Sequence, residues 1–180
     1  MPYTNIEIKA KISEEQQNAI KWILEQKKAK YIGTDIQTDT YFKVDSGRLK
    51  LRKGNIENYF IYYERDDIEG PKQSNVILFD NQGRTGELEK ITKKTHEILI
   101  IVEKQREIYY LENVKIHIDN VKNLGKFIEI EAISQDKILS IEKLQEQCNY
   151  YKELFGIKNK NLIKNSYSDM LIKKNKNLPR

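Results

Sequence analysis

Glu129 and Glu131 stand two residues apart, as do Lys115, His117 and Asp119 just upstream, all within NVKIHIDNVKNLGKFIEIEA over 113–132. A spacing of two gathers side chains on one face of a β-strand. The same spacing gathers Asn5, Glu7, Lys9 and Lys11, then Arg48, Lys50 and Arg52, then Lys104 and Arg106, while Arg65 closes the aromatic run YFIYYER. Guanidinium and ammonium groups on one surface suit a chain of phosphates, which arginine grips bidentately. Carboxylates among those cations suit a hard divalent cation, Mg²⁺ or Mn²⁺, bound through a few oxygens and several waters. A half-exposed hairpin with its polar side in water explains each strand singly. The two readings part over what the remaining chain does with the opposite, aliphatic faces.

Those faces belong to elements that the pattern outlines. Residues 3–12 alternate, with Ile6, Ile8, Ala10 and Ile12 opposite the charged set. Ser13 reads as an N-cap with Gln16 at the capping-box position, opening a helix to about Lys30 with Ala19, Ile20, Ile23 and Leu24 on its apolar stripe and Trp22 at the stripe's edge. Strands follow at 34–44, 48–52, 59–65 and 73–79, separated by turns at 45–47, 54–58 and 66–72. A helix to about Thr95 carries a short apolar face, Leu88 and Ile91, and leaves His96 at the surface. Strand 98–111 leads into the hairpin 113–132, whose turn at 122–126 draws on Asn123 and Gly125. Asp136 or Ser140 starts the longest helix, to about Phe155, and 166–172 forms a short closing helix.

Roughly eight strands share one layout, and two amphipathic helices need an apolar surface to lie on. If the helices cover the aliphatic faces, the sheet must curl with its charged face inward. The predicted fold is therefore α+β: an eight-stranded antiparallel β-barrel, or tunnel, with a charged interior and helices packed outside. Buried charges at that density would cost several kcal/mol each unless paired or bound to something, and phosphates with a divalent cation satisfy both signs.

Composition narrows the field. At 180 residues, with 38% hydrophobic and 33% charged residues, one domain over 1–172 with a basic tail at 173–180 is expected. The longest apolar run, 98–102, is far below the roughly 20 residues that span a bilayer, and the opening MPYTNIEIKAK has no leader-like core. No membrane association and a cytoplasmic location are expected. Cys148 is the single cysteine, which rules out an internal disulfide, and it falls inside a helical apolar stripe as a core residue. With only His96 and His117 besides, no zinc cluster is available. The net charge of +5 favours polyanions, but a nucleic-acid role ranks low because the basic residues alternate with carboxylates. The oligomeric state stays open, with a homodimer among the expectations.

Taken in order, NIEIKAKI, TDTYFKV, GRLKLRKG, YYERDDIEGPKQS, VEKQREIYYLENVKIHIDNVKNLGKFIEIEA and SYSDML resemble the CYTH family, the triphosphate tunnel metalloenzymes. The resemblance implies the same eight-stranded tunnel and cleavage of a triphosphate. YYERDDIEGPK and NVKIHIDNV are most similar to the class IV adenylate cyclases, which convert ATP to cyclic AMP and pyrophosphate. The alternatives are a hydrolase of inorganic triphosphate, thiamine triphosphate or a nucleoside triphosphate, and a non-catalytic polyanion-binding module. The family's Glu-x-Glu-x-Lys signature falls on Asn5, Glu7 and Lys9, so its first glutamate is replaced and a second metal site is in question. The resemblance implies metal ligation by Glu7, Glu129 and Glu131, with Asp119 behind them or at a second metal. It implies substrate contacts by Lys9, Arg48, Lys50, Arg52, Arg65, Lys104 and Arg106, to which Lys11 and Lys115 add themselves by sharing those faces. Lys9, Arg52 and Asp119 carry the catalytic expectation. His117 either touches the substrate or is a hydrogen-bonded structural histidine.

Overall fold

The structure, a computed structural model, describes residues 3–65, 68–81, 83–134 and 138–177. Eight strands, β1 (Tyr3–Lys11), β2 (Lys30–Phe42), β3 (Arg48–Lys53), β4 (Tyr59–Arg65), β5 (Lys72–Asp80), β6 (Ile98–Leu111), β7 (Val114–Val121) and β8 (Gly125–Ser134), close in the order β1-β5-β4-β3-β2-β6-β7-β8. Every pairing is antiparallel, and β1 completes the ring by pairing with both β5 and β8. The helices are α1 (Glu14–Gln26), α2 (Thr85–Thr95), α3 (Ile141–Leu154) and α4 (Tyr167–Lys176). None of them is long and apolar enough to cross a membrane.

The aliphatic faces do what the alternation predicts. Ile6, Ile8 and Ala10 of β1, Ile116 and Ile118 of β7, and Ile128 and Ile130 of β8 turn outward under α1 and α3, burying Ile20, Leu24, Leu144 and Cys148 in one core. Cys148 is fully buried there, its thiol pushed up to about 12, chiefly by burial. Ser13 caps α1 and exchanges hydrogen bonds with Gln16. Asn123 and Gly125 both adopt positive φ in the β7–β8 turn, a conformation open to glycine and tolerated by asparagine.

Several expectations change. Ile91, expected on the apolar face of α2, is 59% exposed, and the helix buries Thr85 and Thr92 instead. α1 stops at Gln26 rather than near Lys30: Lys28 turns left-handed, the Ala29 N–H bonds back to Leu24 O, and Lys30 is released to start β2. Trp22 is 62% exposed and leaves the core to Ile20 and Leu24. α4 continues to Lys176, into the stretch read as tail, while 178–180 and the alternative helix start Asp136 lie outside the described residues.

Inside the barrel the layout is less uniform than predicted. At one end the inward residues turn apolar, with Tyr41, Tyr63, Val76, Val102, Val121 and Phe127 clustering around Tyr167 and Leu171 of α4. That helix therefore closes the end it packs into. At the opposite end the 54–58 turn is pinned by Asp35, fully buried, whose carboxylate accepts the backbone N–H groups of Ile56 and Glu57 at 2.9 and 3.0 Å. Gly54 is required in this turn, because a Cβ there would stand 2.5 Å from Asp35 Oδ1.

Candidate active site

Between these two ends lies a cavity of about 620 Å³. Strand register decides which charges meet across it. Lys9 of β1 lies opposite Glu129 of β8, Glu7 opposite Glu131, and on the far side of β8 His117 and Lys115 face the same two glutamates. Arg106 of β6 lies opposite Asp119 of β7, and Asp39 of β2 opposite Arg52 of β3.

Three clusters result. Asp39 is a hub: it accepts from Arg52 Nε at 2.8 Å, Arg52 Nη2 at 2.9 Å, Lys50 Nζ at 3.0 Å and Lys104 Nζ at 2.8 Å. Burial alone would raise its carboxyl, but Arg52, Lys104 and Lys50 hold it well below the usual range. Lys104 pays the opposite way, brought down to about 7 by burial against the pull of Asp39, with Arg52 and Arg106 adding to the descent. The second cluster centres on Arg106, whose Nε and Nη2 grip Asp119 at 2.7 and 2.5 Å and whose Nη2 also meets Glu129 at 2.6 Å. Tyr167 donates its hydroxyl to Asp119 at 2.8 Å, and Lys9 sits 3.0 Å from Glu129 and 4.2 Å above the Tyr167 ring. The third cluster belongs to Glu57, reaching in from the pinned turn to accept from Lys115 at 2.5 Å, Arg52 at 2.8 Å and Gln37 at 3.0 Å.

His117 is buried with its Nδ1 3.4 Å from Glu129, and its pKa falls to about 3, first through burial and then through Arg106. It is a neutral imidazole in this environment. Glu131 departs the other way. Burial and the neighbouring carboxylates Glu7 and Glu129 raise it, although Lys115 opposes them and Asn5 donates its amide to it. The Asn5 carbonyl oxygen beside this pair is buried without a hydrogen-bond partner among the described residues.

The predicted residues therefore separate. Glu7, Lys9, Lys50, Arg52, Lys104, Arg106, Lys115, His117, Glu129 and Glu131 all line the one cavity. Lys11 does not: it shares a face with Lys9 and pairs with Phe127 of β8, but it is exposed. Arg48 stands off the lining, its guanidinium 2.9 Å from Asp169 of α4. Asp119 is buried behind Arg106 and outside the cavity lining, with both oxygens engaged, so it orients Arg106 and is withdrawn from the metal set. Arg65 ends β4 opposite Ser74, and its side chain lies outside the described residues. The lining also brings in residues outside the predicted set. Asp39 and Tyr41 continue a legible period of two from Asp35 and Gln37, whereas Glu57 in a turn and Tyr167 at a helix start carry no such signal.

Among the described residues, no three His, Cys, Asp or Glu side chains converge as a ready-made metal cage. Mg²⁺ does not require one, because it is held by one or two carboxylates plus substrate phosphates and water. Glu7 and Glu131, face to face with the unpartnered Asn5 oxygen beside them, form an oxygen donor set that fits such an ion.

A family model described as the CYTH domain matches residues 4–167. A Methanocaldococcus jannaschii protein named as a putative adenylate cyclase is 25% identical over 175 residues, covering 92% of this chain and 98% of its own. The PH1012 protein of Pyrococcus horikoshii has the same fold, with a TM-score of 0.74 at 24% identity, over 92% of this chain and 98% of that one. A Vibrio parahaemolyticus structure described as a putative adenylate cyclase superposes with a TM-score of 0.75 at 15% identity, over 93% of this chain and 97% of that one.

Proposed function

The chain belongs to the CYTH family, and from that premise we propose that its tunnel binds ATP with Mg²⁺ or Mn²⁺ and releases cyclic AMP and pyrophosphate, in the manner of a class IV adenylate cyclase. The observation that carries this reading is the convergence of Lys9, Lys50, Arg52, Lys104, Arg106 and Lys115 on one cavity. The name of the archaeal relative points the same way.

In this mechanism the protein positions and neutralises charge and forms no covalent bond to the substrate. Arg52 and Arg106 take phosphate oxygens, exchanging them for carboxylates they already hold. Lys50, Lys104 and Lys9 spread positive charge along the chain of phosphates and stabilise the departing pyrophosphate. Asp119 and Tyr167 act through Arg106, fixing its plane. Glu7, Glu131 and the Asn5 oxygen would hold the divalent ion, with Glu129 next to them. When bound, that ion supplies neutralisation of the phosphate oxygens as charge develops. The ribose 3′-hydroxyl gives up its proton to water and attacks the α-phosphorus, and the bond from that phosphorus to the α–β bridging oxygen breaks as pyrophosphate leaves.

A second reading has its own observation: Asn5 replaces an acidic position and Glu129 is already committed to Lys9 and Arg106, which favours a polyanion-binding module without turnover. Phosphorus NMR of purified protein with Mg²⁺ or Mn²⁺ separates the outcomes. Pyrophosphate and cyclic AMP from ATP support the cyclase. Orthophosphate release from ATP, tripolyphosphate or thiamine triphosphate makes the protein a hydrolase. Ligand binding without turnover of any of the three supports the binding module.

A further inference from the structure

The lining of the cavity is one-sided. β1, β8, β7, β6, β2 and β3 present the clusters described above, but β4 and β5 contribute Tyr59, Ile61, Tyr63, Val76 and Leu78 to the same cavity, with Ser74 the polar exception; Lys72 of β5, buried outside the lining, turns to Glu7 at 4.0 Å and to the carbonyls of Ile163 and Lys164. Register places them in pairs: Ile61 lies opposite Leu78, and Tyr63 opposite Val76. Ile61, Tyr63 and Val76 are buried, while Tyr59 and Leu78 are half-buried towards the end away from α4. Their outward neighbours Ile77 and Phe79 are more than half exposed, so β5 is not amphipathic in the sense of the charged strands.

This asymmetry bears on what the cavity holds. An inorganic triphosphate carries anionic oxygens on every side. Lodged here, it would press some of them against isoleucine, valine and leucine, stripped of water with no donor in return, which is costly. A ligand with a phosphate chain on one side and an apolar or aromatic group on the other matches both walls. The half-buried tyrosine offers a ring face for a planar group, and Leu78 offers apolar contact beside it.

Building on the triphosphate reading, we infer that the β4–β5 wall, with Tyr59 and Leu78 at its accessible end, selects an organic triphosphate bearing a planar group over inorganic triphosphate. Tyr59 and Leu78 are thus specificity determinants, and they touch the organic part of the ligand, away from the reacting phosphorus. The comparison is a demanding one, because tripolyphosphate carries one more anionic oxygen than ATP and would bind more tightly in a cavity that reads charge alone.

The test is isothermal titration of the full chain with ATP and with tripolyphosphate, each with and without Mg²⁺, for the wild type, Leu78→Gln and Tyr59→Ala. Both positions are half-buried, and circular dichroism and thermal melts establish that each variant folds. The wild type is expected to bind ATP at least about tenfold more tightly than tripolyphosphate, equivalent to about 1.4 kcal/mol. Both variants should lower ATP affinity by roughly tenfold and leave tripolyphosphate affinity within about twofold. Tripolyphosphate binding as tightly as ATP, or both ligands weakening together in the variants, overturns the inference and leaves the triphosphate reading standing. Binding of neither ligand overturns both. A further arm with thiamine triphosphate, whose rings differ from adenine, identifies which planar group the wall prefers.

Discussion

Replacing Asp39 with asparagine keeps the shape of the hub and removes its charge. The wild-type carboxylate faces Arg52, Lys50 and Lys104, all within 3.0 Å. Deleting one partner of a buried ion pair costs about 3–5 kcal/mol, because the other charge stays behind uncompensated. Lys104 can relieve part of that cost by giving up its proton, since its pKa is already near 7 and Asp39 is what holds it up. The loss should therefore sit at the lower end, about 3 kcal/mol, corresponding to a fall in Tm of roughly 10 °C for a domain of this size. It should also depend on pH with a definite sign. Without Asp39 the Lys104 pKa falls below 7, so the deficit is full only under that lower value and shrinks as pH rises towards 7 and beyond. An anion in the cavity replaces the missing carboxylate, so tripolyphosphate should raise the Tm of Asp39→Asn more than that of the wild type. Differential scanning calorimetry at pH 6 and pH 9, with and without tripolyphosphate, measures all three effects. A variant melting within about 2 °C of wild type at pH 6 would refute the hub. Equal stabilisation of both proteins by the anion would show that these cations do not receive it.

Further predictions follow from the other clusters. Glu57→Gln should free Arg52 and Lys115 and tighten tripolyphosphate binding several-fold, read by titration calorimetry; unchanged affinity would mean that Glu57 does not compete with the ligand. Glu131→Gln should relieve the repulsion with Glu7, raising the Tm of the ligand-free protein while abolishing stabilisation by Mn²⁺, and a retained Mn²⁺ shift would move the ion elsewhere. His117 has a folded pKa of about 3, below its unfolded value near 6.5, so its contribution to stability is present at neutral pH and is lost as pH falls through that window. His117→Asn should lose less stability than wild type between pH 6.5 and 4, by up to about 1.4 kcal/mol per pH unit, and parallel curves in denaturant titrations would contradict this. Tyr167→Phe removes one hydrogen bond to Asp119 and should cost about 1 kcal/mol in urea unfolding, with a larger effect on kcat than on KM if Asp119 positions Arg106.

Much of this architecture is legible in the chain because period-two alternation reports which face a residue occupies. It placed Lys104 and Arg106 on one face of 98–111, the strand observed as β6, while aromatic content marked 59–65, observed as β4, and the surplus of aliphatic faces argued for closure. Alternation does not report height along the barrel. Lys9 and Lys11 are identical in pattern, yet one meets Glu129 inside and the other is exposed to solvent. Nor does it report cross-strand partners. Asp119 looks like a ligand until register sets Arg106 opposite it. Glu57 escaped because its position depends on the Asp35 carboxylate, 22 residues away in sequence, folding the turn inward. The end of α1 escaped because a lysine takes the left-handed position where glycine is the usual signal.

The ring closes through β1, which pairs with β5 on one edge and with β8 on the other. During synthesis β1 thus leaves the ribosome well before either of the strands it pairs with. One edge of β1 waits for residues 72–76 and the other for residues 127–134, so both pairings span long loops whose entropy must be met before any contact rewards it. Until β8 emerges, a half-built sheet exposes an unpaired edge carrying isoleucines on one face. The nascent chain is therefore most vulnerable to association with its own copies in that interval.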